Sequence, residues 1–361
     1  MLPVLNLLAY TSIMRAVCTV TALLFSSAVL GVETAPPSAG SGALDPLLKT
    51  VLARDLKFSP GELADLQRGR IAKHTIASGV AGEVAVVGGV RIRASREMFF
   101  DRLRDIERFK RSDDVLQIGR FSSPPNPADL DRLSVDRDDF DVTHCKVGDC
   151  GIRLPAELIR RLPMVVDLSA PDAQARGARF FKQILFDDVS AYWSGNEDRM
   201  AQYDDGNEPI RPIDAFRDLL GQAPAIGDLV PGLPAHLAAF PAAQLDGAED
   251  FVYWSKERFG IAPFITATHV TIVCRSGPTC VATSKDVYSS RYVDASLALT
   301  IASDDATAPQ TSFFLLYANY SRANALKGGF DRLRRAIVER RARGGLEESL
   351  KHIKTRLEGG R

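Results

Sequence analysis

The chain has 361 residues, with 45 Lys and Arg against 45 Asp and Glu, 45 % apolar residues, 8 % aromatic residues and 5 cysteines. A zero net charge excludes attraction of the whole molecule to nucleic acid or to an anionic surface. The apolar and charged fractions are those of a water-soluble globule and exclude a disordered or collagen-like chain.

The first 31 residues are apolar, with one charge at Arg15. Met14 offers a second start. From it, Arg15 supplies a positive n-region, residues 16–30 an apolar run of about 15 residues, and Val29 and Gly31 the −3 and −1 positions of a cleavage site. That run is shorter than the roughly 20 residues that span a bilayer. Residues 1–31 are therefore read as a signal peptide cleaved near Gly31, with an uncleaved anchor as the alternative, and the protein is expected to be periplasmic or secreted. Cys18, preceded by Arg-Ala-Val, has no lipoprotein context.

Residues 32–82 read as a linker and an N-terminal helical lead. Leu44–Leu56 can form one helix. Ser59, Pro60 and Glu62 make a capping box for a second, ending near Lys73. Glu83–Ala94 is a strand, with a turn or bulge expected at Gly88-Gly89. Ser95 caps a helix bearing Phe99, Leu103, Ile106 and Phe109 at helical spacing. Val115–Phe121 is a strand, and 139–154 a hairpin.

Residues 155–262 read as a helical insert. It holds a short helix from Pro155, a long one over Asp172–Tyr203, an irregular Pro/Gly/Ala-rich stretch at 224–248, and a short helix over Glu249–Phe259. The aromatics Phe180, Phe181, Tyr192, Trp193, Tyr253 and Trp254 read as core, with the lining of an apolar pocket as the alternative. Thr266–Cys274, Cys280–Ser289, Tyr292–Ala302 and Thr311–Tyr320 then form an antiparallel meander. A helix over Arg322–Arg343 follows, with Leu326, Phe330, Leu333 and Ile337 as its apolar stripe, and 344–361 reads as a basic tail helix. The fold class is α+β: an antiparallel sheet packed against a long C-terminal helix, interrupted by a helical insert.

This element order over residues 83–343 resembles the helix-grip fold of START and polyketide-cyclase-like domains. The resemblance implies a sheet curved around the last helix and a cavity between them for an apolar or lipid-like ligand. The insert at 155–262 departs from that pattern. The chain is also similar to exported bacterial proteins, a likeness that implies no particular activity.

Cysteines 145, 150, 274 and 280 fall as two local pairs around Gly turns, which brings their Cα atoms within disulfide reach and favours Cys145–Cys150 and Cys274–Cys280. A four-Cys zinc site is the rival, at the wrong spacing for a zinc knuckle. His74, His144, His236, His269 and His352 include no pair at metal spacing, and HExxH, GxSxG, GxGxxG and the P-loop are absent. No cofactor or metal is expected. The acidic sets Asp138, Asp139, Asp141, His144 and Asp204, Asp205, Asn207, Glu208 are weighed as calcium loops against ordinary turn chemistry.

Polar residues on the meander supply the remaining candidates. His269, Asp294 and Ser296 are considered as a hydrolytic group, and Tyr288, Tyr292, Tyr317 and Asn319 as the polar lining of a ligand site. Three functions follow: a carrier of an apolar ligand, an exported hydrolase, and a cell-envelope interaction module. The last would use the basic terminal helix, through Arg334, Arg335, Arg340 and Arg341, against a membrane surface or a protein. Residues 322–361 hold 12 Lys and Arg against 5 Asp and Glu.

Overall fold

The computed structural model describes residues 41–203, 209–259, 262–323, 326 and 331–359. Residues 1–31, read as a signal peptide, and the acidic residues 204–208 lie outside them, as do Phe330 and the side chains of Leu333 and Arg334. An eight-stranded antiparallel sheet runs in the order β1-β2-β8-β7-β6-β5-β4-β3. Its strands are β1 (Ala72–Ile76), β2 (Glu83–Ile92), β3 (Val115–Arg120), β4 (Ala248–Phe259), β5 (Ala262–Cys274), β6 (Thr279–Ser289), β7 (Ala295–Asp304) and β8 (Phe313–Arg322). The helices are α1 (Pro46–Arg54), α2 (Pro60–Gln67), α3 (Arg96–Arg104), α4 (Ile106–Phe109), α5 (Ala156–Val165), α6 (Ala173–Trp193), α7 (Pro212–Gly221), α8 (Ala225–Leu229), α9 (Leu233–Ala238) and α10 (Asp331–Glu358). The fold is α+β, with α10 packed against the sheet.

The lead helices form where the capping chemistry places them. Asp45 accepts the Leu47 and Leu48 N–H groups, and Ser59 and Glu62 complete the capping box of α2.

Strand alternation sorts the side chains onto two faces. One, the insert face, carries Val87, Leu297, Leu299, Ile301, Leu316 and Ala318 under α1, α2 and α7–α9, and Val252, Trp254, Ile265, Ala267 and Tyr288 under α5, α6 and the loops of 121–154. The other, the closing face, carries Val86, Val90, Val270, Ile272, Phe313 and Leu315 under α3, α4 and α10. Both faces are covered, so the central strands are apolar on both sides.

Five local expectations are corrected. Residues 72–76 form β1 instead of ending a helix, because His74 pairs with Val87 at the sheet edge. Residues 249–259 form β4 instead of a helix. Val252 and Trp254 face the insert while Phe251 and Tyr253 face α3 and α4, a period of two in which both phases are apolar. The helical insert therefore ends before Ala248.

Residues 139–154 form an irregular loop with one bridge, Lys146 to Asp149, instead of a hairpin. α6 stops at Trp193 because Gly195 turns at φ +72°. The last helix runs unbroken from Asp331 to Glu358, through Gly344-Gly345, so 344–361 is not a separate tail. Leu346, Leu350 and Leu357, at helical spacing, bury its C-terminal half.

Gly88 and Gly89 sit inside an unbroken β2. A Cβ on Gly88 would stand 2.9 Å from Leu346 Cδ2 and 3.0 Å from the Ala72 carbonyl oxygen. The glycine is what lets α10 lie close to the sheet. Gly88→Ala is expected to cost about 1–3 kcal/mol in a denaturant titration; an unchanged midpoint would show that α10 can lift without loss.

Candidate functional site

Along the closing face the apolar rows give way to polar ones toward the end where β8 finishes. Alternation from Tyr253 adds Ser255 and Glu257 on β4, and register brings Thr266 and Thr268 on β5, Ser284 and Asp286 on β6, Ser296 on β7, and Tyr317, Asn319 and Ser321 on β8 to the same side. Asp286, Ser296, Tyr317, Asn319 and Ser321 are half-buried.

They are knitted together. Thr268 Oγ1 donates to Asp286 Oδ1 at 2.9 Å, Asn319 Nδ2 to Ser296 Oγ at 3.1 Å, and Ser321 Oγ to Asn319 Oδ1 at 2.6 Å. At the β4 side Lys110, just after α4, donates to Glu257 at 2.6 Å and to the Tyr253 hydroxyl at 3.3 Å. Burial pushes the Asp286 carboxyl up to about 6, against the pull of Thr268, and the Tyr317 phenol up to about 12. Burial also raises Glu257, but Lys110 outweighs it and holds that carboxyl below its ordinary value.

Where β2 begins, a cleft of about 240 Å³ opens between residues 78–82, Leu326 and Arg335. Arg335 Nη2 donates to the Val80 carbonyl there at 2.8 Å.

The insert face holds a second polar cluster, buried except for the edge of Asp250. Tyr192 on α6 donates its hydroxyl to His269 Nδ1 at 2.6 Å, and His269 Nε2 meets Asp250 Oδ1 at 2.9 Å. Thr271 donates to the same oxygen at 2.7 Å, and His236 Nε2 on α9 meets it at 3.1 Å. The other His236 nitrogen, Nδ1, faces the Ala243 carbonyl at 2.7 Å. Both partners of His236 only accept, so both of its nitrogens carry protons and the ring is an imidazolium.

The shifts agree with this proton inventory. The hydrogen bond to Asp250 raises His236 against burial. Burial lowers His269 despite Asp250. Burial raises Asp250, but the two histidines and Thr271 hold it well below the carboxylate range. Phe240 packs on the His269 ring at 4.4 Å.

Beside the cluster, Lys285 Nζ lies over the rings of Phe216 at 4.1 Å and Tyr192 at 4.7 Å. Its hydrogen bond is a long one, 3.4 Å, to the Leu237 carbonyl. Burial, reinforced by Arg217, lowers this amine to about 7. Thr283 Oγ1, two residues along β6 on the same face, is buried without a hydrogen-bond partner among the described residues.

The structure separates the proposed hydrolytic group. Register places His269, Lys285 and Leu297 on the insert face, so Ser296 points to the opposite one. Asp294 precedes β7 and pairs with Arg153 at 2.6 Å, while Ser296 accepts from Asn319. Of the four residues read as ligand lining, Tyr317 and Asn319 lie together on the closing face. Tyr288 is buried on the insert face, where its hydroxyl donates to the Arg153 carbonyl at 3.0 Å. Tyr292 sits in the β6–β7 link at φ +64° and accepts from the Ala262 N–H at 3.4 Å.

Asp139 is buried against Lys256 at 2.5 Å, and Asp141 holds Thr143 and His144. Two of the three carboxylates of that acidic set are thus engaged by protein donors. The sequence alone does not join Asp250, His236, Tyr192 and Lys285 to His269. The antiparallel β4–β5 hairpin pairs residue 252 with 269 and 250 with 271, whereas the residue pattern of 249–259 predicts a helix.

Disulfides join Cys145 to Cys150 and Cys274 to Cys280. The second staples directly paired residues of β5 and β6. They fit an oxidising, extracytoplasmic environment. Among the described residues no helix is long and apolar enough to cross a membrane. No family model, curated protein or solved structure matches the chain.

Proposed function

We propose that this is an exported binding protein, periplasmic or secreted, that holds a small amphipathic molecule, lipid-like in its body, against the closing face. The observation that carries the reading is the division of that face. Val270, Ile272, Phe313 and Leu315 are packed under α3, α4 and α10, and the half-buried row of Asp286, Ser296, Tyr317 and Asn319 is what that cover leaves at the edge. A hydrogen-bonding end matches this row, and Val80, Ala81 and Leu326 in the cleft at the same end of the sheet suit an apolar body, since ligand sites pair apolar walls with a few fixed polar groups. The cleft beside Arg335 lies at the same end of the sheet and supplies an approach.

Native mass spectrometry of protein isolated from its own envelope tests this. A co-purifying molecule is expected, held about tenfold less tightly in Tyr317→Phe and in Asp286→Leu, because each removes one hydrogen-bonding partner from a half-buried site. Protein that arrives empty, or affinity indifferent to both changes, would remove the reading.

A further inference from the structure

We infer that the insert docks on an anionic lipid surface through the C-terminal tip of α5. The helix buries Ala156, Ile159 and Leu162 in the insert core. Past Leu162 its last turn, Pro163-Met164-Val165, turns outward: Met164 is 82 % exposed and Val165 52 %. The other large exposed apolar side chains are scattered singly, as on any soluble surface. These two are adjacent and set at a helix end.

Cations surround them. Helical spacing puts Arg160 beside Met164 and Arg161 beside Val165. Both arginines are exposed, and among the described residues neither has a carboxylate within ion-pair distance. On the other side a cleft of about 340 Å³, lined by Val165, Val166 and Phe180, is bounded by Asp172 and by Arg176 and Arg179 of α6. Acidic groups lie close by and offset part of this charge. Asp172 pairs with Arg176 at 2.9 Å, Asp167 bonds its own turn through Ser169 at 2.6 Å, and Glu157 shares the helix face of Arg160 and Arg161, so the cations left for a partner are Arg160, Arg161 and Arg179.

Size and chemistry select the occupant. Two apolar side chains cannot supply the roughly 800 Å² per partner of a stable protein interface. They do suit insertion to the headgroup boundary, with guanidinium groups reaching phosphate oxygens on either side. Neither element alone anchors a protein to a bilayer, whereas an apolar wedge combined with a basic patch does.

The test is co-sedimentation of the whole protein with phosphatidylcholine vesicles made with and without phosphatidylglycerol. Binding is expected only to the anionic vesicles and should weaken as salt rises. Met164→Asp, and Arg160→Glu with Arg161→Glu, are each expected to reduce it at least about tenfold, with melting temperatures unchanged because these side chains are exposed. Three results would overturn the inference: no binding to anionic vesicles, binding untouched by either variant, or binding lost only when Arg340 and Arg341 of α10 are reversed. The last would assign the contact to the terminal helix. If Met164→Asp abolished cross-linking to an envelope protein while vesicle binding persisted, the tip would be a protein contact and the lipid assignment would fail.

Discussion

Asp250→Ala is expected to lower unfolding stability by about 3–5 kcal/mol at neutral pH, the range for removing one partner of a buried charge pair. One oxygen of this carboxylate receives His236, His269 and Thr271. Removing it strands the His236 imidazolium, whose second nitrogen is already committed to the Ala243 carbonyl, and unties α9 from β4 and β5.

The pH profile provides a separate reading of the same network. His236 is raised in the fold, so its contribution is complete below the unfolded value near 6.5 and is lost as pH rises through the folded one. His269 is lowered, so its contribution is present above about 6.5 and is lost as pH falls. In Asp250→Ala the alkaline loss from His236 should disappear, because the group that raises it is gone. Urea titrations across pH 5 to 9 measure both effects. A deficit under about 1 kcal/mol would mean that water replaces the carboxylate, and that the cluster is less enclosed than its geometry shows.

Lys285→Met should act in the opposite direction and stabilise the fold by about 2–4 kcal/mol at pH 7, by analogy with apolar replacement of buried charges. The lysine stem already lies between the Phe216 and Tyr192 rings, where methionine's length and polarisable sulfur fit. The cost removed is that of burying an amine with one long hydrogen bond. Its folded value of about 7 lies below the unfolded one near 10.5. The wild-type chain therefore gains stability as pH climbs between those values, and the advantage of methionine is largest at or below pH 7 and fades toward 10.5. Thermal melts at several pH values would show the gap closing. A variant less stable than wild type at neutral pH would mean that the amine makes an interaction its surroundings do not reveal.

These two residues also mark how far the sequence could be read. The meander was legible because β5 to β8 are rich in β-branched and aromatic residues and bounded by turn residues, and the local cysteine pairs announced a turn between β5 and β6. Trp254 and its neighbours were misread because a strand covered on both faces loses its alternation, and an eleven-residue apolar-rich run is then equally a helix. Gly88-Gly89 reads as a turn because the partners that need their bareness arrive more than 220 residues later: Leu346 of α10 against Gly88, and Leu316 of β8 against Gly89.

His269 stood out as a polar group in an apolar strand. Its partners could not be read, because Tyr192 and His236 come from the insert, whose docking on the sheet leaves no periodic trace. Tyr317 and Asn319 lie two residues apart on β8 and share a face by strand alternation alone, which needs no knowledge of register.

The pairing of β2 with β8 has a consequence for the life of the chain before it is a fold. Glu83 and Arg322, ion-paired at the end of those strands, are 239 residues apart, and β3 waits in the same way for β4 across the entire insert. A polypeptide emerging from the ribosome has neither partner for most of its synthesis, and assembly dominated by such distant pairings is slow. The sheet therefore cannot close until β4 and β8 have been made.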